Sequence, residues 1–266
     1  MAGNVLRVGI AGYGTVGKIR HQVVDAHPNF KTVAVCDETF IDQFQEIDGV
    51  QCFQHYKTLL NQVDIDILFV CLPNYLASEV TIAGLEIPVH VFCEKPPGRN
   101  VEDIRRVIDV EKRTPGKKLM YGFNHRYHDS VLEALNIINS NDLGKVLSMR
   151  GVYGKSKIIS FDSDWRTKRK YSGGGILLDQ GIHMVDMMRL IGGEFPIAHS
   201  FVVNSYWKHD VEDNVYALLR SENGVVAMLH SSATQWRHTF DLCINLTNGT
   251  INLSGILTST KSYAPE

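Results

Sequence analysis

The sequence predicts an α/β protein in which a doubly wound parallel sheet comes first and an α+β domain with a mostly antiparallel sheet follows. In residues 1–123, short apolar runs alternate with helical segments, which is typical of βαβ units. In residues 124–266, turns such as Glu222-Asn223-Gly224 and Asn248-Gly249 separate strand-like runs, which indicates antiparallel pairing. We therefore expect two domains, 1–123 and 124–266.

The composition is that of a globular protein with a sizeable core. Of its 266 residues 44% are hydrophobic and 21% charged, and the net charge is −2, so no charge excess points to nucleic acid or to an anionic membrane. Five scattered cysteines favour reduced, buried thiols over a disulfide framework or a zinc site. The longest apolar run, near Ile67–Leu72, is too short to span a bilayer, and we expect a soluble, cytoplasmic protein.

The first predicted strand, Val5–Ala11, runs directly into a glycine-rich turn that opens a helix ending near Asp25. Glycines at these spacings allow a tight turn and a close approach of pyrophosphate to the backbone, and the helix N-terminus attracts its charge. An empty tight turn is the alternative, which this strand–turn–helix context disfavours. The turn consists of Gly12-Tyr13-Gly14-Thr15-Val16-Gly17.

A second predicted strand, Thr32–Cys36, ends in an acid, Asp37, which lies 20 residues after Gly17. An acid in this place accepts hydrogen bonds from the adenosine ribose hydroxyls of a dinucleotide. A 2′-phosphate would meet Asp37 and Glu38 with no Arg or Lys adjacent, so the sequence favours NAD over NADP.

Further strands are predicted at 50–53, 65–71, 88–93 and 118–123, with helices between them. In an open parallel sheet, ligands bind outside the carboxyl ends of the strands, so the residues that follow these strands should line one crevice. These predicted cofactor contacts are Leu72, Pro73, Asn74, Glu94, Lys95 and Asn124.

The stretch from Gly173 to Asp186 combines three consecutive glycines with a predicted helix, and we expect the glycines to let this helix approach the cofactor and substrate closely. On this helix Asp179, His183 and Asp186 stand at i, i+4 and i+7 and share one face. These residues alone leave two alternatives open, a solvent-facing polar stripe or a functional site. A metal site is disfavoured because the sequence supplies no further convincing ligand.

The preceding loop, residues 156–172, is rich in charge. It can be a solvated charge run or a clamp for a phosphate or carboxylate, and we favour the clamp because the loop leads straight into the glycines. A sugar nucleotide would explain the cations, whereas a neutral polyol would not need them. The residues concerned are Asp162, Asp164, Trp165, Arg166, Lys168, Arg169 and Lys170.

These motifs, in this order and spacing, resemble the Gfo/Idh/MocA oxidoreductases, the relatives of glucose-fructose oxidoreductase and inositol 2-dehydrogenase. The resemblance covers nearly all of the chain, and its specific core is Glu94-Lys95-Pro96 together with Asp179-x-x-x-His183. It implies an N-terminal Rossmann domain and a C-terminal domain whose large open sheet often mediates homo-oligomers, dimers or tetramers. It also implies a cis Lys95–Pro96 bond.

The resemblance further implies an NAD-dependent dehydrogenase acting on a secondary alcohol of a sugar, sugar nucleotide or polyol, with a sugar-nucleotide subgroup as one option. By this carry-over Lys95, Asp179 and His183 are catalytic and contact the substrate. No metal is expected. The remaining expected contacts are Arg126 and Tyr127 with the substrate and Trp165 and Arg166 with the cofactor.

The rival is a non-catalytic NAD(H)-binding regulator of the same fold, against which the presence of the lysine, aspartate and histidine argues. Family members usually continue for several tens of residues beyond the strand that matches Thr250–Ser254. We therefore expect this chain to be either a short member or a truncated one.

Overall fold

The computed structural model describes residues 5–40, 45–156 and 165–256. The chain divides into two compact units, 1–122 and 123–266, and each is built around its own sheet. Asp162 and Asp164 of the charged loop lie outside the described residues, as does the C-terminal stretch from residue 257 onward.

The first unit is a seven-stranded sheet in the order β3-β4-β2-β1-β5-β6-β7, parallel throughout except for the β3–β4 pair. The predicted doubly wound parallel sheet is confirmed. Its strands are β1 (Leu6–Ala11), β2 (Phe30–Cys36), β3 (Gln45–Ile47), β4 (Val50–Phe53), β5 (Ile67–Val70), β6 (His90–Cys93) and β7 (Leu119–Tyr121). Its helices are α1 (Thr15–Asp25), α2 (Tyr56–Gln62), α3 (Asn74–Glu86) and α4 (Val101–Arg113).

The core of this unit lies on both faces of the central strands. Val8, Ile10, Leu68 and Val70 are each 0% exposed. Burial of such a side chain stabilises the fold by about 1.5–3 kcal/mol, which explains why the central strands are continuous apolar runs. The edge strand β3 was not predicted, because three residues without alternating hydrophobicity carry no strand signal.

The second unit contains a six-stranded sheet in the order β13-β12-β8-β11-β10-β9. Its helices are α5 (Asp129–Ser140), α6 (Arg169–Ser172) and α7 (Ile182–Gly192), with 3₁₀ turns at Asn124–Tyr127 and Trp165–Thr167 and a π-helical segment at Leu177–Gly181. Its strands are β8 (Val146–Gly154), β9 (Ile197–Val203), β10 (Asn214–Arg220), β11 (Val226–Ser232), β12 (Thr239–Leu246) and β13 (Gly249–Ser254).

The mostly antiparallel character of this sheet is confirmed, but it is not a simple meander. Strand β8 is inserted between β11 and β12, parallel to the first and antiparallel to the second. Short hairpin turns define only the β10–β11 and β12–β13 neighbours, whereas a longer loop joins β9 to β10. No short turn joins β8 to a partner, so the sequence carried no signal for its position.

One face of the second sheet packs against α7. Met184, Met187 and Met188 are fully buried there, and a Cβ at Gly151 of β8 would lie 2.5 Å from the Met184 sulfur. The opposite face carries large exposed apolar side chains on β9, β10 and β11.

In the part of the chain that the structure describes, none of the helices combines the length and the apolar character that crossing a membrane would require.

Candidate functional site

Backbone hydrogen bonds line up the carboxyl ends of the first unit's strands. The N–H of Gly12 donates to the Cys36 carbonyl (2.8 Å) and that of Cys71 to the Ala11 carbonyl (2.7 Å). The N–H of Glu94 donates in turn to the Val70 carbonyl at 2.8 Å. The segments that follow β1, β2, β5 and β6 therefore lie side by side at one edge of the sheet, as the sequence predicts.

The glycine-rich turn is shaped by close packing at two glycines. A Cβ at Gly12, whose φ is +93°, would lie 2.5 Å from the Cys71 carbonyl oxygen, and one at Gly17 would lie 2.0 Å from the Gly12 oxygen. At Gly14, by contrast, a Cβ would meet no described atom within 4 Å. The turn is thus tightly packed at Gly12 and Gly17 and leaves space beside Gly14.

Helix α1 begins at this turn without a side-chain cap among the described residues, since its N-cap is Gly14. The first N–H groups of a helix need an acceptor, and an anion satisfies them together with the helix dipole. The open glycine and the uncapped N-terminus therefore fit a dinucleotide pyrophosphate.

Asp37 is held in place immediately after β2. Its Oδ2 accepts a hydrogen bond from the Tyr13 N–H (2.8 Å), and its Oδ1 accepts from the Thr39 N–H (3.1 Å) and hydroxyl (2.7 Å). The carboxylate is thereby tied to the glycine-rich turn and oriented by three donors. Its remaining lone pairs can accept ribose hydroxyls.

Glu94 and Lys95 follow β6. Arg20 of α1 donates to Glu94 Oε1 from Nε at 2.6 Å, so the carboxylate of Glu94 braces the strand end against α1. Lys95 is half-buried and the Lys95–Pro96 bond is cis, as the resemblance implies. Leu72 and Pro73 follow β5, and Asn74, the first residue of α3, is buried.

In the second unit His183 lies deep in the structure, with 1% of its surface exposed. Its ring stacks on that of His125 at 4.1 Å between centroids and 15° between planes, and Phe123 meets it edge-on at 6.1 Å. His125 belongs to the 3₁₀ turn at Asn124–Tyr127, whose two end residues are exposed. The alternative of a solvent-facing polar stripe is therefore wrong, because His183 is enclosed by aromatic rings.

Asp179, one turn before His183, is paired with a residue that the sequence analysis missed. Lys155 Nζ donates to Asp179 Oδ2 at 2.7 Å, and Arg166 Nε lies 3.9 Å from Oδ1. The Arg166 guanidinium also covers the Trp165 ring at 4.4 Å. Of the two predicted cofactor contacts, Arg166 thus lies near Asp179, and Trp165 lies against Arg166. Lys155 follows the end of β8, and only the position of β8 in the sheet could have revealed it.

Asp186 is buried and forms a two-pronged ion pair with Arg126. Arg126 Nε donates to Oδ2 at 2.7 Å and the terminal nitrogen donates to Oδ1 at 2.5 Å. These hydrogen bonds raise the pKa of Arg126 above its already high value. Asp186 is therefore a structural partner, and the contact of Arg126 with substrate stays a prediction.

The three glycines before this helix have a local explanation. A Cβ at Gly175 would lie 2.0 Å from the Glu212 carbonyl oxygen, and Glu212 Oε1 accepts from the N–H groups of Gly175 (2.8 Å) and Leu177 (3.3 Å). Glu212 thus caps the start of the helix through a backbone approach that only glycine permits. The sequence predicts one uninterrupted α-helix here, but the structure has a π-helical segment at Leu177–Gly181, a distortion often found at functional sites.

The described residues contain no group of three or more His, Cys, Asp or Glu side chains arranged to hold a metal ion. All five cysteines are free thiols, and burial raises the pKa of Cys36 and of Cys93 to about 12. Buried, protonated thiols at these positions agree with the predicted reduced state.

A doubly wound sheet with an uncapped glycine-rich turn and an acid after β2 defines a dinucleotide-binding protein. The model of the oxidoreductase family with the NAD-binding Rossmann fold matches residues 6–123, and the GFO/IDH/MocA C-terminal domain matches 131–252. The chain therefore belongs to the Gfo/Idh/MocA family and is an NAD-binding oxidoreductase.

Among its relatives is D-glucoside 3-dehydrogenase of Escherichia coli K12, at 28% identity over 87% of this chain and 71% of the relative. Levoglucosan dehydrogenase of Pseudarthrobacter phenanthrenivorans is 26% identical over 85% of this chain and 67% of the relative. The crystal structure of myo-inositol 2-dehydrogenase from Lactobacillus plantarum is similar with a TM-score of 0.81 and 26% identity, covering 93% of this chain and 76% of that one.

Proposed function

We propose that this protein is an NAD-dependent dehydrogenase that interconverts a secondary alcohol of a sugar, sugar nucleotide or polyol with the ketone. The observation that carries the proposal is the site in the second unit, where a buried imidazole stands one turn from a carboxylate held by Lys155. The relatives, named as dehydrogenases of a glucoside, levoglucosan and inositol, support a sugar-type substrate.

NAD, when bound, supplies the hydride acceptor for alcohol oxidation. His183 takes the proton of the substrate hydroxyl on an imidazole nitrogen as the C–H electron pair leaves as hydride, and it returns that proton in the reverse direction. Lys95 stabilises the charge that develops on the alkoxide oxygen. Asp179 orients the hydroxyl and His183.

The other predicted contacts complete this assignment. We assign substrate binding to Arg126 and Tyr127 as well, and we place the enzyme in the cytoplasm, where its free thiols stay reduced. Cofactor binding is assigned to the Gly12–Gly17 turn, Asp37, Leu72, Pro73, Asn74, Glu94, Lys95, Asn124, Trp165 and Arg166.

The proposal is tested by following NADH fluorescence while the purified protein is offered NAD with a panel of neutral polyols, free sugars and nucleotide-linked sugars. Turnover with at least one member of the panel is expected. A preference for anionic nucleotide sugars would agree with Lys155 and Arg166 beside Asp179. Tight NADH binding without turnover on any member would instead favour a non-catalytic regulator.

Cofactor preference is predicted from Asp37. We expect NADH to bind more tightly than NADPH, because a 2′-phosphate would face this carboxylate. In Asp37→Ala the affinity for NADH should fall roughly 10- to 100-fold, the cost of losing hydrogen bonds to a charged acceptor, and the preference over NADPH should narrow. Titration calorimetry measures both constants.

Asp64→Ala is the matched control, since the Asp64 side chain is fully exposed and its Oδ2 lies 3.8 Å from a terminal nitrogen of Arg7, too far for a hydrogen bond. Tighter binding of NADPH than NADH by the native protein would show that Asp37 does not contact the ribose.

A further inference from the structure

A chain of polar contacts runs from the glycine-rich turn down one face of α1. The Tyr13 hydroxyl lies 2.6 Å from His21 Nδ1, and His21 Nε2 lies 3.6 Å from Asp25 Oδ2. Asp25 in turn accepts from the Thr32 N–H at 2.8 Å and from Lys31 Nζ. Tyr13, His21 and Asp25 are all only partly exposed. No step of the proposed reaction uses these polar contacts.

The spacing along α1 explains how the chain forms. Gly17, His21 and Asp25 follow one another at four-residue intervals and therefore share a face of the helix. Gly17 packs against the Gly12 carbonyl, so this face is turned toward the glycine-rich turn. A side chain one turn below Gly17 is thus in reach of the Tyr13 hydroxyl.

Tyr13 is held at both of its ends. Its backbone N–H donates to Asp37 Oδ2 at 2.8 Å, while its hydroxyl is bound to His21 and its ring lies 6.0 Å from that of Phe40. Burial, followed by the nearby Cys52, Asp25 and Asp48, raises the pKa of Tyr13, so its hydroxyl keeps its proton and can donate to a ring nitrogen. His21 Nδ1 is the nitrogen within reach of this hydroxyl, while Nε2 faces Asp25.

We propose that His21, braced by Asp25, is a positioning residue for the cofactor, which it serves by fixing Tyr13 and through Tyr13 the carboxylate of Asp37. This inference rests on the proposed binding of the NAD ribose at Asp37. Without the His21 acceptor, the Tyr13 ring loses its anchor and the N–H that orients Asp37 is no longer held in place. The cost falls on cofactor affinity, and hydride transfer at saturating NAD is unaffected.

The experiment measures the dissociation constant of NADH by fluorescence titration for the full chain and five variants, Asp37→Ala among them. Tyr13→Phe removes only the hydroxyl, and His21→Leu removes the acceptor at similar volume. One neutral hydrogen bond corresponds to a roughly 3- to 10-fold weaker binding in each. His21→Gln, whose amide oxygen can accept from Tyr13, should bind NADH within about twofold of the native protein.

His27→Leu is the matched control, because His27 lies just beyond α1, is exposed, and its Nδ1 accepts a hydrogen bond from the nearby Asn29 N–H at 3.2 Å. Native-like NADH binding by both Tyr13→Phe and His21→Leu, with weaker binding by Asp37→Ala, overturns the inference and leaves the cofactor site intact. Unchanged NADH binding by Asp37→Ala overturns both this inference and the proposed contact of Asp37 with the ribose. If His21→Leu unfolds, the comparison of Tyr13→Phe with His21→Gln tests the inference. Native-like NADH binding by Tyr13→Phe is then sufficient to reject the positioning role of His21.

Discussion

At the scale of single residues, Asp179 is the best-defined candidate for chemistry in the second unit. Its side chain is 22% exposed and that of Lys155 is 15% exposed. Removing one partner of a partly buried ion pair leaves an uncompensated charge, so such pairs resist rearrangement. Lys155 therefore keeps Asp179 in one orientation, with Arg166 on its other oxygen.

Replacing Lys155 by methionine should lower kcat/KM for the true substrate roughly 10- to 100-fold, the range for a hydrogen bond between charged groups. The NADH dissociation constant should stay native, because Lys155 is not among the residues assigned to the cofactor. Lys145→Met, at an exposed lysine just before β8, is the matched control. Equal activity of the two variants would refute a role for Lys155.

At the scale of elements, the Gly173–Gly175 run and the helix after it form a unit with Glu212. From the sequence, we expect these glycines to bring the helix close to the cofactor and substrate. The structure instead places the Glu212 backbone against Gly175 and the Glu212 carboxylate on the helix N-terminus. A carboxylate in this position accepts hydrogen bonds from the first N–H groups of the helix and interacts favourably with the helix dipole.

Gly175→Ala should destabilise the protein by about 1–3 kcal/mol, because its Cβ would collide with a backbone oxygen that cannot rotate away. The free energy of unfolding in urea, followed by circular dichroism, measures the loss. At Gly174 a Cβ would come only within 3.3 Å of Leu178 Cβ, so Gly174→Ala is the milder comparison. Equal stability of both variants would contradict the close approach at Gly175.

The elements that could be predicted from the sequence are those with local signals. The glycine-rich turn, the acid after β2 and the β12–β13 hairpin each depend on residues close together in the chain. Lys155 and β8 could not be placed, because the pairing of β8 with β11 spans about 80 positions in the chain. The π-helical segment has no residue pattern of its own. The pairing of Arg126 with Asp186 likewise joins residues 60 positions apart.

At the scale of the whole molecule, the open face of the second sheet presents Phe201, Leu218 and Met228, which are 79%, 51% and 50% exposed. With Tyr216 and the two histidines His199 and His230 they line a shallow groove of about 350 Å³. Exposed apolar surface of this kind marks an interaction site. We propose that it joins copies of the chain in a dimer or tetramer.

Phe201→Glu should dissociate this assembly, because two carboxylates would be buried at a symmetric interface without partners. Light scattering after size-exclusion chromatography, at micromolar protein, should give the mass of a single chain for the variant. Leu132→Glu, at an exposed leucine of α5, should keep the native mass. A native protein that is already a monomer would disprove the proposal.

The account as a whole depends on proton transfer by His183. Its most direct test is the single-turnover rate of NADH formation, with saturating substrate and NAD, in His183→Ala and in the better-packed His183→Asn. The account predicts a 10²- to 10⁴-fold slower rate in both variants, the usual loss on removing a general base, with NADH binding unchanged. A near-native rate in a folded variant that binds NADH would contradict it.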